Sequence, residues 1–156
     1  MQIVINNCFG GFSLSPYALQ RFAELKGKQC FFFTQEIKAG LESPYIMVTP
    51  EEAKEAFMFY AFTVSNPNKI LKSKPWNEMT MKERQKHNKL YDSISISIRP
   101  NKRNDPDLVK CIEELGEKAN GKCAELKIVK IPNNVKWEID EYDGLESIHE
   151  VHRSWS

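Results

Sequence analysis

The sequence has no long apolar run. No segment approaches the roughly 18 apolar residues that span a bilayer, and Met1 to Asn7 carry neither a basic leader nor an apolar stretch of signal-peptide length. These absences argue against a membrane partner and predict a cytoplasmic location. A charge imbalance is missing too. Twenty-two Lys and Arg against 21 Asp and Glu leave a net charge of +1, so no global field draws the chain to nucleic acid or an anionic surface. Partners have to be sought in local patches. The four cysteines, at 8, 30, 111 and 123, form no CxxC pair and no dense pattern, which excludes a disulfide scaffold and predicts reduced thiols without a metal. Neither GxGxxG nor GxxxxGK[ST] occurs, and no catalytic triad is legible, so no cofactor and no catalytic residue is assigned.

What is present is an ordinary globular chain. Its 156 residues, 41% hydrophobic and 28% charged, are enough to bury one continuous core. The expectation is a single α/β (α+β) domain over 1–156, a mixed β-sheet flanked by helices with a C-terminal β-hairpin.

Gln2 to Asn6 reads as a strand, and Ser15-Pro16 as an N-cap followed by a proline at the first helical position. Ala18, Leu19, Phe22 and Leu25 recur at helical spacing, and Gly27 is placed to stop that helix. Cys30 to Thr34 reads as a strand covered on both faces. Thr49-Pro50-Glu51-Glu52 starts a second helix carrying Ala53, Ala56, Phe57, Tyr60 and Ala61. The stretch from Val64 to Asn104 has ten Lys or Arg against three Asp or Glu; its first part, about 64–92, reads as a basic excursion from the core. Within it Thr80 to Glu83 has the form of a capping box, predicting a polar helix to about Leu90. Ile94, Ile96 and Ile98 then alternate with serines, predicting a strand from Ser93 to Arg99. Asp105-Pro106 starts a third strong helix, with Leu108, Val109, Cys111, Ile112 and Leu115 on its buried stripe and Asn120-Gly121 at its end. Leu126 to Ile131 is a strand. Asp143-Gly144 predicts a hairpin turn between strands at about 135–142 and 145–152, with strand and helix both open for 145–155.

Two loops stand out as ligand sites. Asn7, Gly10, Gly11, Phe12 and Ser13 lie between a strand and a helix N-terminus, where free N–H groups and a positive dipole end suit a phosphate. Arg99, Lys102 and Arg103 lie between the expected 93–99 strand and the next helix, and the arginines suit bidentate recognition of phosphate or carboxylate. If both loops fall on one sheet edge, a nucleotide-type ligand is the natural reading.

Two further constellations carry other readings. The hairpin gathers Glu138, Asp140, Glu141, Asp143, Glu146 and Glu150 near His149 and His152. The two histidines point to opposite strand faces and so make no metal site together, while a carboxylate across from a histidine would make an acid/base pair. A solvated face of alternating charge accounts for the same residues. In the excursion, Lys69, Lys72, Lys74, Lys82, Arg84, Lys86 and Lys89 interleave with Trp76 and Tyr91, beside Phe59 and Tyr60, as a nucleotide, single-stranded nucleic acid or protein surface would require.

The segments Ile5-Asn6-Asn7-Cys8-Phe9-Gly10-Gly11-Phe12-Ser13-Leu14-Ser15, Asp105 to Val109 through Glu113-Glu114-Leu115-Gly116, and Trp137 to Gly144 ending in His152-Arg153-Ser154-Trp155 together resemble a family of short bacteriophage and prophage proteins. The resemblance covers roughly 1–34 and 93–155 and brings no activity with it. It implies a viral accessory protein, and such proteins act by binding host molecules, one type being similar to sponges that sequester nucleotide immune signals. The resulting expectation is a homo-oligomeric binder of a small nucleotide-type ligand, a counter-defence sponge. The alternatives are a phosphodiester or nucleotide hydrolase using His149 or His152 with nearby carboxylates, and a protein-binding inhibitor that caps a host enzyme through the excursion.

Overall fold

The computed structural model describes residues 1–36, 43–71 and 76–151. In chain order its elements are β1 (Gln2–Asn6), α1 (Pro16–Leu25), β2 (Phe31–Thr34), β3 (Ile46–Val48), α2 (Pro50–Glu55), β4 (Tyr60–Phe62), α3 (Pro67–Ile70), α4 (Met81–Ile94), α5 (Pro106–Leu115), β5 (Leu126–Lys130), β6 (Trp137–Tyr142) and β7 (Leu145–Glu150). The chain is α+β and ends in a β-hairpin, as its sequence predicts. The strands form separate antiparallel sheets, β1-β5, β3-β2-β4 and β6-β7, instead of one mixed sheet. No helix among the described residues is long and apolar enough to cross a membrane.

The chain divides into two compact units, one made of 1–26 with 98–156 and the other of 27–97. In the first unit β1 pairs with β5 over its whole length, Gln2 opposite Lys130 through Asn6 opposite Leu126. Ile3, Val4 and Ile5 are all buried, so β1 is covered on both faces. The helices α1 and α5 pack together, and the small Ala18 lets the Cys111 thiol reach its carbonyl at 3.3 Å. Ser15 caps α1 by accepting from the Ala18 N–H, and Pro16 is its first residue. Asp105 caps α5 in the same way, through the Asp107 N–H. The hairpin turn uses left-handed backbone at Asp143 (φ 51) and Gly144 (φ 87), the geometry its sequence demands.

The second unit is built on aromatic packing. Phe33, Phe62, Leu71 and Ile94 form its buried centre, with Tyr45, Tyr60 and Tyr91 against them. Phe32 and Phe33, adjacent on β2, are both buried, which confirms a strand covered on two faces.

Four expectations are corrected. The helix begun at Pro50 ends at Glu55, and Tyr60–Phe62 is a strand pairing antiparallel with β2; aromatic residues set opposite Phe31 and Phe33 gain more from the ladder than from a helix. The polar helix runs on to Ile94, because Leu90, Tyr91 and Ile94 share one helical face that packs on the unit's core. The strand expected from Ser93 to Arg99 is thereby reduced to one bridge, Ser95 with Phe62, followed by the Ile96 N–H donating to the Ala61 carbonyl. Lastly, α5 stops at Leu115, where Gly116 takes a φ of 54 and a 3₁₀ turn follows.

Candidate functional site

Among the described residues, the strand β1 pairs with a strand, β5, on one edge only. Its other edge is closed by two single groups. The Val4 N–H donates to the Arg103 carbonyl at 2.9 Å, and the Asn6 N–H donates to the Glu146 carboxylate at 2.8 Å. A carboxylate thus stands where a neighbouring strand would supply a carbonyl. Glu146 is 8% exposed and Arg103 4%, and the guanidinium meets the carboxylate as a two-pronged fork at 3.1 and 3.2 Å. The Phe12 ring covers the other side of the guanidinium, 3.1 Å from its carbon to the ring centroid. Burial pulls the Arg103 pKa down and the Glu146 charge opposes that shift; a guanidinium starts so far above neutrality that it stays charged.

The Asn6 side chain ties three segments together. Its amide donates to the carbonyls of Cys8 at 2.6 Å and Gly144 at 2.7 Å, and its oxygen accepts from the Glu125 N–H at 2.8 Å. The loop 7–14 is thereby anchored to β5 and to the hairpin turn. Gly144 lies so close that a Cβ there would strike the Gly11 nitrogen and come within 2.9 Å of the Phe9 carbonyl. The glycine loop, the 99–104 loop and the hairpin turn therefore meet in one place within the first unit.

The structure assigns the sequence-predicted residues different roles. Arg103 is committed to Glu146 and Phe12. Gly10 permits close approach of the Cys123 backbone, and Gly11 takes a left-handed φ of 81. Asn7, Ser13, Arg99 and Lys102 are exposed on the converging loops. The N-terminus of α1 is already filled, since Ser15 accepts from the Ala18 N–H and its hydroxyl donates to the Lys118 carbonyl at 2.6 Å. The Ser13 carbonyl accepts from the Gly121 N–H. The helix end expected to cradle a phosphate is thus occupied by the protein itself.

The sequence places Asn6 at the end of β1 and Glu146 among the hairpin carboxylates, but does not give their roles as buried braces. In the hairpin register Glu141 faces Glu146, Ile139 faces Ile148 and Trp137 faces Glu150, so Glu146 shares its parity with the apolar residues and turns inward. Glu138, Asp140, Ser147 and His149 lie on the opposite, exposed face, with the Ser147 hydroxyl 2.8 Å from His149 Nε2. That parity was readable once the turn was placed. Two exposed aromatics also escaped notice, Phe9 at 65% and Tyr142 at 79%, next to the contacts that join the glycine loop to the turn.

Of the excursion, Tyr60 and Tyr91 belong to the core of the second unit and Phe59 packs edge-on against Phe32. Trp76 is sandwiched in a small cluster, with the Arg84 guanidinium 5.2 Å from its ring and His87 edge-on at 5.9 Å. Lys72, Lys74, His152, Arg153 and Trp155 lie outside the described residues. Comparison with protein-family models, with curated proteins and with solved structures finds no match.

Proposed function

We propose that the chain binds a small anionic, nucleotide-type ligand over the surface where the glycine loop, the 99–104 loop and the hairpin turn converge. On this reading it is a phage accessory protein that sequesters a host nucleotide signal as a homo-oligomer and leaves it chemically intact. The observation that carries the reading is the convergence itself. Two loops far apart in sequence, one of which exposes the cationic side chains of Arg99 and Lys102, are brought together through Phe12 and Arg103. They expose Asn7, Ser13, Arg99 and Lys102 as polar and cationic contacts and Phe9 as an apolar one. A phosphate would be drawn to Lys102 and Arg99, and a base would stack on Phe9 or Tyr142, at about 1–3 kcal/mol per stacked base. Arg103 and Glu146 hold the loops in register without touching the ligand.

The test is to incubate the purified protein with a mixture of cyclic and linear nucleotides, filter it, heat the retained protein and chromatograph both fractions. Depletion of one species from the filtrate and its intact return on heating supports sequestration. A Lys102→Glu variant should retain at least tenfold less. A filtrate unchanged in composition contradicts the proposal.

A second reading has its own observation. The Ser147–His149 hydrogen bond, with Glu138 directly across from His149, is the kind of pair a hydrolase would use. In that case the nucleotide returns cleaved, and His149→Ala abolishes cleavage while binding persists.

A further inference from the structure

Beyond β1 and β5 the two chain segments stay together. The Asn7 N–H donates to the Glu125 carbonyl at 2.8 Å. One step further, the Cys8 thiol donates to the Cys123 carbonyl at 3.2 Å and lies 3.4 Å from the Asn6 side-chain oxygen. Gly10 packs against the same residue. A Cβ at Gly10 would collide with the Cys123 carbonyl and come within 2.7 Å of the Cys123 Cβ. Two cysteines 115 positions apart in sequence are thus held beside one another by a ladder, a thiol hydrogen bond and a glycine contact. Cys123 is exposed and Cys8 partly so.

From this juxtaposition we propose that Cys8 and Cys123 form a reversible disulfide that clamps the glycine loop to the chain entering β5. The inference is independent of the ligand-binding reading. The oxidant is a small-molecule disulfide such as oxidised glutathione. The exposed Cys123, as thiolate, attacks one glutathione sulfur, the glutathione disulfide bond breaks, and one glutathione leaves as thiolate. The neighbouring Cys8 thiolate then attacks the Cys123 sulfur of the mixed disulfide and expels the second glutathione. Two protein thiols lose two electrons, glutathione disulfide gains them, and the two thiol protons end on two molecules of glutathione. The link has to bring the Cβ atoms to about 3.5–4.5 Å, a local adjustment because Cys8 sits in a bend and Cys123 in a turn, both outside the strands. Cys111 is an internal control. It is fully buried at the α1–α5 contact, and burial pushes its thiol up to about 11, so it does not join the exchange.

The proposal is tested by treating the full-length protein with excess oxidised glutathione, blocking remaining thiols, and mapping peptides by mass spectrometry. The expected product is monomeric protein carrying one Cys8–Cys123 linkage, with Cys111 unmodified. Its melting temperature should lie above that of the reduced form and return on dithiothreitol, as expected for a crosslink closing a long loop. In the Cys8→Ser variant the reaction should stop at a glutathione mixed disulfide on Cys123, because the resolving thiol is gone. The proposal is overturned if Cys8 and Cys123 in the wild-type protein stay unlinked, whether each carries its own glutathione, each remains free, or they link only between molecules.

Discussion

At the scale of single residues, Arg103 and Glu146 show how a charge pair can do the work of a missing strand. Truncating either one leaves the other charge buried, and truncating Glu146 also orphans the Asn6 N–H. Arg103→Ala or Glu146→Ala should therefore cost about 3–5 kcal/mol in denaturant unfolding, and the double variant less than the sum of the two. A single variant within about 0.5 kcal/mol of wild type would show that the pair is not the brace described. Gly10 tests the loop itself. Its absent Cβ would meet the Cys123 backbone, so Gly10→Ala should destabilise by at least about 1–3 kcal/mol. Cys111 makes a pH prediction. Its folded-state pKa of about 11 lies above the ordinary 9.0 because burial disfavours the thiolate. Between those values the unfolded chain loses the proton that the folded chain keeps, so stability is full below about pH 9 and declines as pH rises toward about 11. Cys111→Ala should flatten that alkaline slope, and iodoacetamide should label Cys111 in the folded protein only at strongly alkaline pH.

At the scale of elements, the starts of α1, α2, α4 and α5 were legible because each is written locally, whereas α3 was not read. Ser15-Pro16, Thr49-Pro50, Thr80 with Glu83 and Asp105-Pro106 all appear as N-caps where their sequence places them. Asp105 also accepts from Lys26 at 2.8 Å. Burial pushes its carboxyl up, but the Lys26 and backbone N–H bonds outweigh that and hold the pKa below its usual value. Its contribution is present above the ordinary carboxylate range and is lost as pH falls through that range. Asp105→Ala should cost about 1 kcal/mol at neutral pH and give a shallower loss of stability below about pH 4, both measurable by urea unfolding across pH. Helix ends and strand identities were less legible because tertiary partners decide them. Tyr60 and Ala61 fit a helical pattern as well as a strand until Phe33 and Phe32 supply a ladder. Ile94 fits an alternating strand until the unit core claims it as the last residue of α4.

At the scale of the whole molecule, neither the balanced charge nor the ordinary composition points to a partner. The candidate site depends on pairings across most of the chain, β1 with β5 and Asn6 with Glu146. The two anion-suited loops were legible as separate signals. Their convergence, and the commitment of Arg103 to an internal carboxylate, rest on contacts 43 to 140 positions apart, which no local pattern encodes. The most direct measurement is a backbone amide NMR titration with the nucleotide that the filtration assay depletes. The prediction is saturable shift changes at residues 7–13, 99–104 and 142–144, with the amides of α4 unmoved. Shifts confined to α4 and Trp76, or no shifts at all, would contradict a ligand site where the loops converge.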